Sequence, residues 1–236
     1  MSDLQLEKLK DQIDNILLNL GDKVSKTKSK TERKSGGIKR GIKSITVEKI
    51  YSLIISHAIK EIKSKCKLVR YKDLPLELKN FNKLNTSTFY EKEFNLNFSN
   101  EEKKKGYIDK YDGYIVNENK IVMILEYKAY LENAMLKRCL LDAVFAQTVN
   151  EKIKYCICML ETSVQQNDRD IGYNSHSLMS FFYEKFKTKI HMLLLLDGKR
   201  GINKDITEKK FVKKVNIHKL VEAVNYFKSN LKSLNS

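Results

Sequence analysis

Residues 112–128 read Asp-Gly-Tyr-Ile-Val-Asn-Glu-Asn-Lys-Ile-Val-Met-Ile-Leu-Glu-Tyr-Lys. Asn117, Glu118 and Asn119 separate two apolar runs and predict a tight turn between two strands. From Ile121 to Leu125 the apolar run is unbroken, as in a strand buried on both faces. Glu126 and Lys128 interrupt that strand two residues apart, so they share a face. Folding the hairpin about Glu118 brings Asp112 nearly opposite Leu125 and Glu126. Two carboxylates and an ammonium therefore converge at one end of a buried hairpin. Charges in such a place are costly to desolvate, so they serve either as a structural ion pair or as a cation site with a lysine beside it. Asp109 is a rival for the first carboxylate, but it lies about 10 Å further along at about 3.3 Å per residue. Asp112 fits the cluster better.

Working outward, the C-terminal side alternates helix and strand. A helix is predicted over 131–149, with Leu136, Leu140, Ala143, Val144 and Gln147 along one side and Lys137 and Arg138 flanking the stripe. An apolar strand over 154–160, a polar loop over 162–177, a helix over 178–186 and a strand over 190–196 follow. A last helix spans 217–231. On the N-terminal side, the spacing predicts a helix over 2–20, capped by Ser2 and ended by Gly21. Residues 22–43 are rich in Lys, Ser, Thr and Gly and predict a flexible basic arm, densest at Lys39, Arg40 and Lys43. An amphipathic helix over 47–63 carries Val47, Ile50, Tyr51, Ile54, Ala58 and Ile62 on one stripe, with Glu48 and Glu61 near its edges. Pro75 marks an irregular connection. Residues 86–98 look extended, with Glu91 and Glu93 on them, and 107–116 form the first strand of the hairpin. This divides the chain into an N-terminal helix and arm, 1–45, and a single α/β domain, 46–236.

Composition bounds the partners. The 236 residues carry 45 Lys and Arg against 29 Asp and Glu, a formal charge of +16. Abundant lysine with one proline and no tryptophan fits an AT-rich coding bias, but the shortfall of acids points to a polyanion, most often nucleic acid. No apolar run approaches the roughly 18 residues of a membrane span, and no signal peptide is seen, so no membrane partner is expected. Four cysteines without a disulfide-rich spacing imply a reducing cytoplasm. Cys156 and Cys158, on one face of a predicted strand, read as core and not as a zinc pair. The four histidines are scattered, and no glycine-rich phosphate loop occurs, so no nucleotide cofactor is expected.

The motif Asp112, then Glu126-x-Lys128 on a hairpin, within the order helix, strand, hairpin, helix, strand, resembles the PD-(D/E)XK nuclease superfamily over residues 47–196. It departs from that pattern where Tyr111 replaces the proline-like lead residue. The resemblance implies an αβββαβ core, a mixed central sheet flanked by helices. It further implies that Asp112 and Glu126 hold Mg²⁺ while Lys128 acts beside the reacting water. A carboxylate from Glu48, Glu61, Glu91 or Glu93 would be an additional ligand. A chain of this size with a basic arm is most similar to type II restriction endonucleases, which cut double-stranded DNA as homodimers and leave 5′-phosphate and 3′-hydroxyl ends. Gln165, Gln166, Asn167 and Arg169 in the polar loop carry the side chains that read base edges, and Lys137 and Arg138 would hold phosphates. Two other readings share the surface charge: a structure-specific repair or junction-resolving nuclease, and a basic DNA-binding protein in which Glu126 and Lys128 are only a salt bridge.

Overall fold

The computed structural model describes residues 3–25, 32–79, 83–84, 107–108, 110–164, 173–197 and 213–232. Its centre is a five-stranded mixed sheet. In chain order the elements are α1 (Asp3–Ser25), α2 (Glu32–Glu61), β1 (Lys67–Val69), a short α3 (Leu76–Lys79), β2 (Lys83–Leu84), β3 (Tyr107–Ile108), β4 (Gly113–Asn117), β5 (Lys120–Leu131), α4 (Asn133–Val149), β6 (Lys154–Thr162), α5 (Tyr173–Phe186), β7 (Ile190–Leu194) and α6 (Ile217–Lys232). Strand order in the sheet is β1-β4-β5-β6-β7, and β2 pairs with β3 apart from it. β1, β4 and β5 run antiparallel, whereas β5, β6 and β7 run parallel. The αβββαβ order is met by α2, β1, β4, β5, α4 and β6.

Each face of the sheet is covered. One core joins Leu125, Tyr127, Cys156 and Cys158 to apolar residues of α1, α2 and α6. The other joins Ile124, Tyr155, Ile157 and Met159 to α4 and α5. β6 lies between two parallel neighbours, and eight of its nine residues are buried, as double coverage requires. Tyr51 of α2 is fully buried, and its hydroxyl lies 2.9 Å from the Met159 carbonyl and 2.7 Å from that of Leu193. It also accepts the Met159 N–H at 3.1 Å. One phenol thus ties α2 to two strands, which fixes the helix over the sheet.

Three expectations change. The helix expected over 47–63 begins at Glu32, so the part of the predicted basic arm from 32 to 43 is helical. Three glycines there cost about 1 kcal/mol each relative to alanine, but Ile42 packs against the core and the helix runs on without a break into the buried stripe from Val47. Tertiary packing outweighs local propensity. The strand expected over 107–116 is split: Tyr107–Ile108 pairs with β2, and the hairpin strand starts at Gly113. The strand that flanks the hairpin is Lys67–Val69, whose register sets Leu68 opposite Ile115. The extended stretch expected at 86–98 lies outside the described residues. α1 packs on the core beside α2 and α6 through Leu9, Ile13, Leu17 and Leu20. All four cysteines are buried and free, with 3.8 Å between the sulfurs of Cys156 and Cys158. Among the described residues, no helix is long and apolar enough to cross a membrane.

Candidate active site

The hairpin turn occupies Glu118 and Asn119, and Glu118 takes a positive φ of 53°. Counting back from it, a register shift between Ile115 and Val116 leads to Gly113 opposite Leu125. Asp112 therefore stands opposite Glu126, one step beyond the ladder. Its Oδ2 accepts the Tyr127 N–H at 2.8 Å, which holds the carboxylate against the end of β5. Glu126 and Lys128 face the α4 side of the sheet, in register with Ile157 and Met159. Lys128 Nζ lies 2.5 Å from Glu126 Oε1 and 4.0 Å from Asp112 Oδ2. The three residues do converge.

Glu126 is 7% exposed, deep for a carboxylate. Burial raises its proton affinity, the charge of Asp112 raises it further, and Lys128 pulls the other way without cancelling them. On Lys128, burial favours the neutral amine, but the charge and hydrogen bond of Glu126 outweigh it and the ammonium is strengthened. The cluster holds two carboxylates that repel each other with one lysine between them, Glu126 buried and Asp112 open to solvent. A hard divalent cation would relieve that repulsion. Magnesium is commonly bound by one or two carboxylates together with water and substrate phosphate. Asp112 and Glu126 fit such an ion, although no group of three His, Cys, Asp or Glu able to hold a metal forms among the described residues.

Helix α4 lies against Glu126. Cys139, buried there, has its thiol pushed up to about 12 by burial first, with Lys128 and Glu126 both within electrostatic reach. Asp142 adds a further negative charge near Glu126. The Tyr155 hydroxyl is buried without a hydrogen-bond partner among the described residues, and the charge of Glu126 acts on it. Tyr155 stands opposite Ile124 in the β5–β6 register, on the same face as Glu126. Sequence reading missed this residue, because a tyrosine in an apolar strand gives no sign of what its hydroxyl meets.

On the other face of β5, a concavity of about 300 Å³ opens beside Asp112, lined by Glu48, Arg70, Lys72 and Tyr127 among others. Glu48 reaches it from α2 and forms an ion pair with Arg70. Of the two described carboxylates among the four considered as additional ligands, Glu48 is brought to Asp112. Glu61 is tied to Lys228 at 3.0 Å at the end of α2, and Glu91 and Glu93 lie outside the described residues, as does Asp109. A Cβ on Gly113 would come within 2.9 Å of the Tyr127 hydroxyl and 3.3 Å of its ring. Tyr127 is itself buried and packed near Tyr51, 6.3 Å between centroids, so it has little room to move. Gly113→Ala is therefore expected to lower stability by about 1–3 kcal/mol, as overpacking does. The denaturation midpoint in urea is the measurement, and an unchanged midpoint would mean that Tyr127 is free to yield.

The remaining sequence candidates divide. Lys137 and Arg138 are exposed on α4; Arg138 is 82% exposed at its side chain and 3.9 Å from Asp142. Lys43 is half-buried on α2. Lys39 and Arg40 belong to α2 by backbone, but their side chains lie outside the described residues. Gln165, Gln166, Asn167 and Arg169 lie wholly outside them.

No protein-family model matches the chain. Over 129 residues it is 30% identical to the type II restriction enzyme DdeI of Desulfomicrobium norvegicum (strain DSM 1741 / NCIMB 8310), a match that takes in 52% of each sequence. The chain thus spans about half the length of the relative it matches. The similarity points toward a restriction-endonuclease-like protein, and the mixed five-stranded sheet between helices is consistent with that core.

Proposed function

We propose that this protein is a type II restriction endonuclease that hydrolyses phosphodiester bonds of double-stranded DNA at a specific site, with Mg²⁺ as cofactor. The convergence of Asp112, Glu126 and Lys128 at the end of a buried hairpin carries the reading. The similarity to a restriction enzyme over half of the chain and the charge of +16 support it. Asp112 and Glu126 would hold the metal through carboxylate oxygens. When bound, the ion supplies charge neutralisation at the scissile phosphate and the departing oxygen. Lys128 orients the attacking water and stabilises negative charge as it builds on the phosphate. Water attacks phosphorus in line, the bond to the 3′ oxygen breaks, and a proton passes to that oxygen. Products carry 5′-phosphate and 3′-hydroxyl ends. Lys137 and Arg138 hold the strand beside the cluster, Lys39, Arg40 and Lys43 extend the basic surface, and Gln165, Gln166, Asn167 and Arg169 read bases. Glu48 adds a carboxylate once Arg70 turns to phosphate. Two copies acting together would cut both strands of a palindromic site.

The direct contact between Lys128 and Glu126 also favours a second reading, in which the pair is a structural salt bridge in a DNA-binding protein. A long duplex incubated with the purified protein and Mg²⁺ separates the possibilities on a gel. Discrete bands support the restriction enzyme. A smear means a nuclease without site specificity, and intact DNA with retarded mobility means a binding protein.

A further inference from the structure

A second concavity, about 420 Å³, opens at the other end of the sheet, where β6 and β7 begin and α6 approaches its end. Lys152, Lys154, Lys187 and Lys189 line it, against one carboxylate, Glu151. Its position on β6 separates it from the candidate active site. Lys154 is five residues before Met159, the partner of Lys128, so the two lysines are about 16 Å apart along the strands. One phosphate cannot touch both.

A lysine-rich chain places many ammonium groups on its surface, and three of these four are exposed in that ordinary way. Lys154 is different. It is half-buried at the start of a strand in which every later residue is buried. Its Nζ donates at 2.7 Å to Asn230 Oδ1, a neutral acceptor. Among the described residues none of the four lysines forms an ion pair. Burial alone weakens the Lys154 ammonium, and no carboxylate compensates. Two of its lining rings, His191 and Tyr226, are stacked with centroids 3.8 Å apart. Like charges gathered around a half-buried ammonium repel one another unless an anion joins them. The volume exceeds what a single phosphate needs and leaves room for an attached sugar.

We propose that this concavity is a second phosphate-binding site, in which Lys154 and the rim lysines Lys152, Lys187 and Lys189 take the phosphodiester backbone of nucleic acid. The proposal stands apart from the nuclease reading, since it needs neither metal nor cleavage. Free phosphates share the same chemistry, so the test has two arms. In the first, inorganic phosphate and pyrophosphate are titrated against the full chain while its Tm is followed. The parent is expected to be stabilised, and Lys154→Met to lose the increase. In the second, a labelled duplex is bound over a series of salt concentrations without divalent metal. Lys187→Gln combined with Lys189→Gln, two exposed changes that leave the core intact, should lower the slope of log K against log salt by about 2. An unchanged slope overturns nucleic acid as the occupant. If the salt slope is unchanged and phosphate fails to stabilise the parent, the site itself is refuted. Should Lys154→Met not fold, the rim pair decides alone in both arms.

Discussion

Lys128→Ala is expected to lower the rate of DNA cleavage by on the order of 10²–10³, the usual loss when one preorganised group facing developing charge is removed. The residue stands 2.5 Å from one carboxylate and 4.0 Å from the other, and among the described residues it is the cation paired with both. The same change touches stability. Without the ammonium, Glu126 is left buried beside Asp112, a like charge. A carboxylate in that position takes up a proton instead of keeping its charge, so the loss should be about 1–3 kcal/mol, less than for an ion forced to stay charged. Single-turnover cleavage together with urea denaturation measures both effects. A variant that cuts as fast as the parent would remove Lys128 from the chemistry, whatever its stability.

Glu126→Gln should separate chemistry from folding more sharply. In the proposed site it removes a charge that would hold Mg²⁺, and cleavage is expected to fall by at least about 10³, as for the loss of a group that acts with its partners as a unit. Stability should move by only about 1 kcal/mol in either direction. The amide oxygen still accepts from Lys128, the repulsion with Asp112 disappears, and Lys128 keeps Asp112 at 4.0 Å. Combining Glu126→Gln with Lys128→Met removes the ion pair altogether, and a double-mutant cycle then isolates its worth to folding. We expect the double variant to be about as stable as the parent and inactive. A double variant markedly less stable than the parent would favour the structural salt bridge. Calcium titration of parent and Glu126→Gln by calorimetry reports metal binding without turnover, and only the parent should bind.

The hairpin was legible because its signals are local. An apolar run, a turn of Asn117, Glu118 and Asn119, and two charges two residues apart are all visible in seventeen letters. Counting across the turn puts Asp112 nearly opposite Leu125 and Glu126; the register shift between Ile115 and Val116, which no count from the turn reveals, is what sets Gly113 on Leu125 and leaves Asp112 one step beyond, opposite Glu126. The later elements, α4, β6, β7 and α6, were legible for the same reason, within a few residues at their ends. β1 was not. Three residues, Lys67–Val69, show no periodicity, and their strand state comes from pairing with β4. The first turns of α2 were misread because glycine and lysine argue against a helix locally, while Ile42, just beyond them, packs against the core. The choice between Glu48 and Glu61 was likewise closed to the sequence. Both lie on one amphipathic helix, and only its placement over the sheet brings Glu48 to the concavity beside Asp112 and leaves Glu61 with Lys228. Arg70 and Tyr155 carry no motif, so their nearness to the cluster appears only in three dimensions.

The central claim is that Asp112, Glu126 and Lys128 direct water to phosphorus with loss of the 3′ oxygen. End-group analysis of the cut DNA tests it most directly. A duplex is digested with Mg²⁺ by the parent and by Lys128→Ala, and the products are sequenced at their ends and offered to DNA ligase. The account predicts ligatable 5′-phosphate and 3′-hydroxyl ends from the parent and almost none in the same time from the variant. Ends bearing 3′-phosphate, or equal digestion by the two proteins, would contradict it.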